Sequence, residues 1–156
     1  MIMNDRSEVS AELLPQKESL GFLLADAMRL TRRVASKRFE AHQMTLAQAK
    51  ALMGVWRQQG IRQVDLADQM EIQPITLARL LDQLSASGLI ERRQDPNDRR
   101  AFQLFLTPAA NPALQMISEA SRLLQSQALA GLTGAEVATL FRALNKVREN
   151  LSASTR

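Results

Sequence analysis

Four arginines stand in two adjacent pairs, Arg92-Arg93 and Arg99-Arg100, on either side of Gln94-Asp95-Pro96-Asn97-Asp98. A guanidinium is planar, permanently charged and able to grip a carboxylate or phosphate through two parallel N–H donors, so such a cluster is chemistry for an anion. Asp98 sits beside the second pair and can order one of its arginines through a bidentate contact. Upstream, Gln73, Thr76, Arg79 and Gln83 recur at steps of three and four. On a helix that spacing lines them along one face. Their types suit hydrogen bonding to base edges: Arg to guanine, Gln to adenine, Thr through its hydroxyl or methyl. Any surface helix also shows polar residues outward, so the stripe by itself leaves both readings open.

Other chemistries are excluded by composition. Cysteine is absent and His42 is the one histidine. There is therefore no disulfide, no thiolate nucleophile, no cysteine-ligated zinc and no thiol switch. A metal would have to be held almost by carboxylates alone. The sequence has no Gly-rich phosphate loop and no plausible nucleophile–base pair, so neither an enzyme nor a cofactor is expected.

The elements that must carry these side chains follow from periodicity. The chain has 156 residues, 46% hydrophobic and 23% charged, with 20 basic and 16 acidic residues and a net charge of +4. That is one compact domain, or one core with an appended element. Sixteen of the 20 bases are arginine. Between Arg57 and Arg100, however, seven arginines face seven acids, so this region is neutral and its bases would have to be sorted onto one side to meet a polyanion. The longest apolar run, Phe22 to Ala25, is four residues. A membrane span needs about 20 such residues and a signal-peptide core about 7–15, so no membrane association and a cytoplasmic location are expected.

Residues 1–16 are polar and read as a flexible N-terminal arm. Leu20, Leu23, Leu24, Ala27, Thr31 and Val34 predict a long helix over about 18–41. Thr45 and Gln48 form a capping-box pattern for a second helix to about Gln59, with Leu52, Met53 and Trp56 as its buried side. A short third helix spans about Gln63 to Met70, with Val64, Leu66 and Ala67 apolar. A fourth opens at Gln73-Pro74, carries the stripe Leu77, Leu80, Leu81, Leu84 and stops at Gly88. The period then changes to two: Leu89–Arg93 and Ala101–Leu106 read as strands of a hairpin with an arginine-rich tip. Thr107-Pro108 starts a further helix, which Asn111-Pro112 either kinks or restarts. After Gly131, Thr133 to Glu136 forms a second capping box, and the last helix runs to about Leu151 with Val137, Leu140, Phe141, Leu144 and Val147 apolar.

A helix–turn–helix followed at once by a hairpin is a winged helix. The fold class expected is mainly α with a small β-hairpin wing. Residues 45–106 form the winged helix–turn–helix region, and residues 17–44 and 107–152 form flanking helices whose apolar sides have little else to cover. In this architecture the second helix of the pair fits the major groove of double-stranded DNA and the hairpin reaches sideways to the backbone and minor groove.

The segment Asp95-Pro96-Asn97-Asp98-Arg99-Arg100 followed by Leu104, Leu106 and Thr107, with Leu66-Ala67, Leu80-Leu81-Asp82-Gln83-Leu84 and Gly88-Leu89-Ile90 before it, resembles the MarR family of winged-helix regulators, and within it the SlyA-like branch. The likeness covers about residues 18–150. It implies that Arg100 enters the minor groove, that Asp98 braces the wing, and that Arg79 and Thr76 belong to the recognition helix. It also implies a homodimer joined through the first, fifth and sixth helices, for which Val137, Leu140, Phe141 and Leu144 are candidates, and a pseudo-palindromic site. Pro96-Asn97 departs from the charged residues common at this point of the wing, which would stiffen the hairpin. The resemblance further implies a repressor responsive to a small anionic aromatic ligand. Candidates to hold such a ligand are Arg33, with Arg29 and Arg32 beside it, His42 and Trp56; their ordinary readings are a solvated arginine face, an idle turn histidine and a core tryptophan. The alternative function is a winged-helix protein-interaction module without specific DNA binding.

Overall fold

The computed structural model describes residues 19–154; the arm expected over 1–16 lies outside them. Six α-helices and three short strands follow in the order α1 (Leu20–Glu40), α2 (Leu46–Arg57), β1 (Ile61–Arg62), α3 (Gln63–Gln69), α4 (Pro74–Ala86), β2 (Ile90–Gln94), β3 (Phe102–Leu106), α5 (Asn111–Ala128) and α6 (Gly134–Ser154). The fold is mostly helical with a small antiparallel sheet, as the periodicity predicts.

Local chemistry explains most boundaries. Ser19 caps α1 by accepting the Phe22 N–H at 3.3 Å. The Thr45–Gln48 capping box is formed in both directions. Pro74 occupies the first turn of α4, where its missing donor leaves nothing unpaired. Gly88 has φ +71°, and the Leu89 N–H returns to the Leu84 carbonyl at 3.0 Å, the left-handed stop that reverses the chain into β2. Asn111-Pro112 restarts a helix rather than kinking one: a single 3-10 turn over Pro108–Ala110 precedes α5. The Thr107 hydroxyl is not used as a cap. It donates to the Gly88 carbonyl at 2.5 Å and, with Thr107 N–H on the Leu89 carbonyl at 3.1 Å, ties the two ends of the hairpin.

The sheet has one strand more than the hairpin expected from sequence. Its order is β1-β3-β2, with Ile61 opposite Leu104 and Arg92 opposite Leu104 on the other side. Gly60, at φ +82°, lets the chain turn from α2 into β1 and places its N–H 2.8 Å from the Leu104 carbonyl. Leu104 is thus paired on both edges and fully buried. Phe102, two residues from Leu104 and so on the same face of β3, is exposed at the start of the strand.

The core lies between α2, α3, α4, the sheet and α5. Leu52, Val55, Ile61, Leu66, Leu77, Leu81 and Leu104 are its largest fully buried side chains. Helices α2 and α3 approach so closely that a Cβ on Gly54 would stand 2.5 Å from Leu66 Cδ1. One expectation fails. Trp56, placed on the buried side of α2, is 56% exposed, and Val55 fills the core instead. Val64 of α3 is also exposed.

The flanking helices behave differently from the core. Only Ala35 and Phe39 of α1 are buried, at its C-terminal end against α5. No residue of α6 is buried. Leu20, Phe22, Leu23, Leu24 and Met28 on α1, and Leu140, Phe141 and Leu144 on α6, stand open.

Candidate nucleic-acid interface

Helices α3 and α4 are joined by a tight turn in which Glu71 takes φ +54° and the Ile72 N–H reaches back to the Ala67 carbonyl at 3.1 Å. Leu77, Leu81 and Leu84 fix the buried side of α4. The opposite side carries Ile75, Thr76, Arg79, Asp82 and Gln83, all exposed. Gln73 is the N-cap residue, but its side chain makes no capping bond. Among the described residues the side chains of Gln73, Thr76 and Arg79 have no hydrogen-bond or ion-pair partner. Gln83 differs: it accepts from Gln48 Nε2 at 3.2 Å and so links α4 to the capping box of α2. Sequence reading passed over Ile75, whose signal was an isoleucine standing outside the leucine stripe.

The wing tip is organised by aspartates acting on backbone. Asp95, only 7% exposed, accepts the Asn97 N–H at 2.9 Å, while its own N–H donates to the Ala101 carbonyl at 3.0 Å. Asp98 accepts the Arg100 N–H at 3.0 Å and, through its carbonyl, the Ala101 N–H at 2.9 Å. The bidentate grip of Asp98 on an arginine side chain does not form; the carboxylate shapes the loop through main-chain donors, the pattern of an Asx turn. Gln94 Nε2 holds the Arg99 carbonyl at 3.0 Å. Arg99 and Arg100 are left exposed, with no acidic partner among the described residues.

The other arginine pair has different employment. Arg92 turns toward α4, with Nη1 2.6 Å from Asp82 Oδ1 and Nη2 donating to the Ala78 carbonyl at 3.1 Å. Arg93 pairs with Glu91 and lies over the Phe105 ring, 4.2 Å from its centroid. The arginine cluster of the sequence therefore divides into two braces and two open cations.

Helix and wing meet at one cleft. Pro74 at the start of α4, Val64 of α3, and Asp98, Arg100 and Phe102 of the wing line a cleft of about 320 Å³ together with Arg62. Arg62 grips Asp65 through Nε and Nη2 at 2.7 and 3.0 Å. That hydrogen-bonded pair lowers the Asp65 pKa and raises that of Arg62, to which Asp95 and Asp98 of the wing add attraction. Arg62 was not singled out in the sequence, although an Arg and an Asp three apart at a helix start carry a signal of their own.

The three ligand candidates are not brought together. Trp56 borders a cavity of about 550 Å³ between α2 and α5, lined also by Met53, Arg57, Leu114 and Ser118. His42 borders a different one, of about 400 Å³, with Arg38, Met116 and Glu119. Arg33 is exposed on α1. The core reading of Trp56 fails with its exposure. Of the dimerisation candidates, Val137 is half-buried and Leu140, Phe141 and Leu144 are exposed. Among the described residues no cluster of His, Asp or Glu could hold a metal ion, and no helix is long and apolar enough to cross a membrane.

The MarR family profile matches residues 44–102, which span α2 to the start of β3. Solved structures match far more of the chain. A crystal structure of MarR superposes with a TM-score of 0.80 at 26% identity, covering 90% of this chain and 95% of that one. Wild-type apo MarR from E. coli gives 0.77 at 28% identity, covering 83% and 96%. An E. coli MarR cysteine-to-serine mutant complexed with operator DNA gives 0.69 at 29% identity, covering 82% and 92%. The helix pair and wing at the centre of the chain thus match the MarR family, and most of its length is similar in fold to solved MarR structures.

Proposed function

We propose that this chain is a homodimeric, sequence-specific DNA-binding regulator of the cytoplasm, of the SlyA-like branch, that reads a pseudo-palindromic site and represses from it. The observation that carries the reading is the shared cleft: the first turn of α4 and the arginine tip of the wing border one space, on one side of the molecule. Gln73, Thr76, Arg79 and Gln83 then face base edges in the major groove. Arg99 and Arg100, without acidic partners among the described residues, reach the backbone and minor groove, and Asp98 holds the wing in shape. The head is neutral in sum, so non-specific affinity is modest and discrimination rests on few contacts.

The partner is a second copy of the chain. The open apolar sides of α1 and α6, with Val137, Leu140, Phe141 and Leu144 on the latter, cover one another across a two-fold axis. Residues 17–44 and 107–152 are then the dimerisation region and 45–106 the reading head, with half-sites about 34 Å apart. Ligand response is assigned to the cavity between α2 and α5. Trp56 offers a ring face and Arg57 a cation to a small anionic aromatic molecule, and a wedge there favours a dimer whose heads no longer match the half-site spacing.

Selection of bound fragments from random duplexes tests the reading. Arg79→Ala should cost about 1–3 kcal/mol and relax preference at one base pair per half-site, whereas Arg100→Ala should weaken binding to all sequences. Parent-like binding by both variants would remove the head from this assignment. Failure of the parent to enrich any sequence would leave the protein-interaction reading in its place.

A further inference from the structure

Two sets stand out among the exposed large apolar side chains of the described residues. Most lie on α1 and α6, where the proposed dimer covers them. Trp56, Val64, Ile75 and Phe102 lie on the head instead. Ile75 is the most exposed of all of them, at 63%. It occupies the first turn of α4, directly after Pro74. Each helical residue turns the side chain by roughly 100°, which puts Ile75 and Arg79 one turn apart on the side directly opposite Leu77, Leu81 and Leu84. The other outward positions of the helix named above, Thr76, Arg79, Asp82 and Gln83, are all polar, so Ile75 is the single large apolar group on the outward side of α4.

From this placement we infer that Ile75 is a specificity residue that reads the C5-methyl group of a thymine in the major groove, within one or two base pairs of the base met by Arg79. The chemistry is shape and desolvation. Thymine alone among the unmodified bases carries a methyl into that groove, and an apolar side chain is the group that gains by covering it. A β-branched isoleucine in a helix has few rotamers and holds its methyls in fixed directions, which suits a contact of defined position. The span from Ile75 to Arg79, four residues or about 6 Å along the helix axis, exceeds one base-pair rise and is under two, which sets the separation of the two bases read. The inference rests on the DNA-binding reading above.

The experiment is a uracil scan. In the selected palindrome each thymine is replaced in turn by deoxyuridine, which keeps every hydrogen-bonding group and removes only the methyl. Burial of one methyl corresponds to about a fourfold change in Kd, and about fifteenfold when both half-sites are altered. The parent should show this loss at one thymine per half-site. Ile75→Ala should bind the thymine site more weakly and should not distinguish thymine from uracil at that position. Thymine-containing and uracil-containing sites bound alike by the parent would overturn the inference. So would a uracil penalty that persists undiminished in Ile75→Ala. The side chain is exposed, so the variant folds, and an unchanged circular-dichroism melt verifies this. A second variant, Thr76→Ser, keeps Ile75 and the hydroxyl, removes only the Thr76 methyl, and should retain the uracil penalty; its loss there would assign the contact to Thr76 and overturn the inference. Enrichment of no site at all would instead reject the DNA-binding reading and is distinguishable at the first step.

Discussion

Removing the Arg92 guanidinium separates a brace from a phosphate contact. By sequence Arg92 belongs to the arginine cluster of the wing, and a phosphate contact would be the natural assignment. In the structure its two terminal nitrogens are spent on α4, on Asp82 at 2.6 Å and on the Ala78 carbonyl at 3.1 Å. The Arg92 side chain is 25% exposed and that of Asp82 is 64% exposed. Solvent screening at Asp82 limits the ion pair to about 0.2–1 kcal/mol. The bond to the carbonyl adds about 1 kcal/mol, and the buried part of the stem a few tenths more. Against this, Arg92 Nε is buried without a partner among the described residues, and its removal relieves a desolvation cost. The net expectation for Arg92→Ala is a loss of about 0.5–1 kcal/mol per protomer in urea unfolding at fixed protein concentration. DNA affinity should fall because α4 and the wing lose their fixed relation, yet the slope of log K against log salt should stay that of the parent. Arg100→Ala is the control. It should leave stability within about 0.5 kcal/mol and reduce that slope by about 2 per dimer, one phosphate contact from each protomer. An Arg92→Ala protein with parental stability and a reduced salt slope would refute the assignment of this arginine to the fold.

Other expectations concern the framework. Leu144→Asp on the open side of α6 should yield monomers by analytical ultracentrifugation that lose operator binding; a persistent dimer would move the interface elsewhere. Gly54→Ala raises helix propensity by about 1 kcal/mol but drives a methyl into Leu66, an overpacking cost of about 1–3 kcal/mol. The variant should therefore be less stable by about 1 kcal/mol in chemical denaturation, and a gain in stability would show that α2 and α3 separate freely. Glu136 accepts the Thr133 N–H at 2.7 Å and its hydroxyl at 2.8 Å, and these bonds hold its carboxyl below the usual value. A depressed folded-state pKa stabilises above the unfolded value of about 4.3 and is lost as pH falls through the folded one. Glu136→Gln should flatten the pH dependence of α6 melting between about pH 5 and pH 3, and an unchanged profile would count against the capping box.

What was legible in the sequence was whatever a local pattern determines. The leucine stripe of α4, the capping residues Thr45 and Thr133, the stop at Gly88 and the change of period at Leu89 each act over a few residues, and each is found in place. Features set by distant partners were not. Strand β1 has two residues, too few to show alternation, and it exists because Gly60 turns the chain beside an open edge of β3. Trp56 and Val55 both follow the apolar run of α2, and only the position of α5 and the sheet decides which is covered. Arg92, Arg93, Arg99 and Arg100 are identical in type. Their roles separate because Ala78, Asp82, Glu91 and Phe105 stand beside the first two and not beside the others. Asp98 was legible as a wing residue, but its use of a backbone donor was not, and the more buried Asp95 carried no sequence signal beyond its place in the turn.

Helix α6 offers 21 residues and not one buried side chain. A lone helix of that length is barely stable in water, and the described residues of its own chain shelter it only partly, leaving Val137 and Val147 half-buried. In the dimeric reading, its folding and its pairing are one event, so the abundance of the protein becomes an input to the system. Below the concentration at which pairs form, the occupied fraction of a site rises with the square of the amount present. A cell that halves its supply would silence three quarters of the binding without any chemical signal at all.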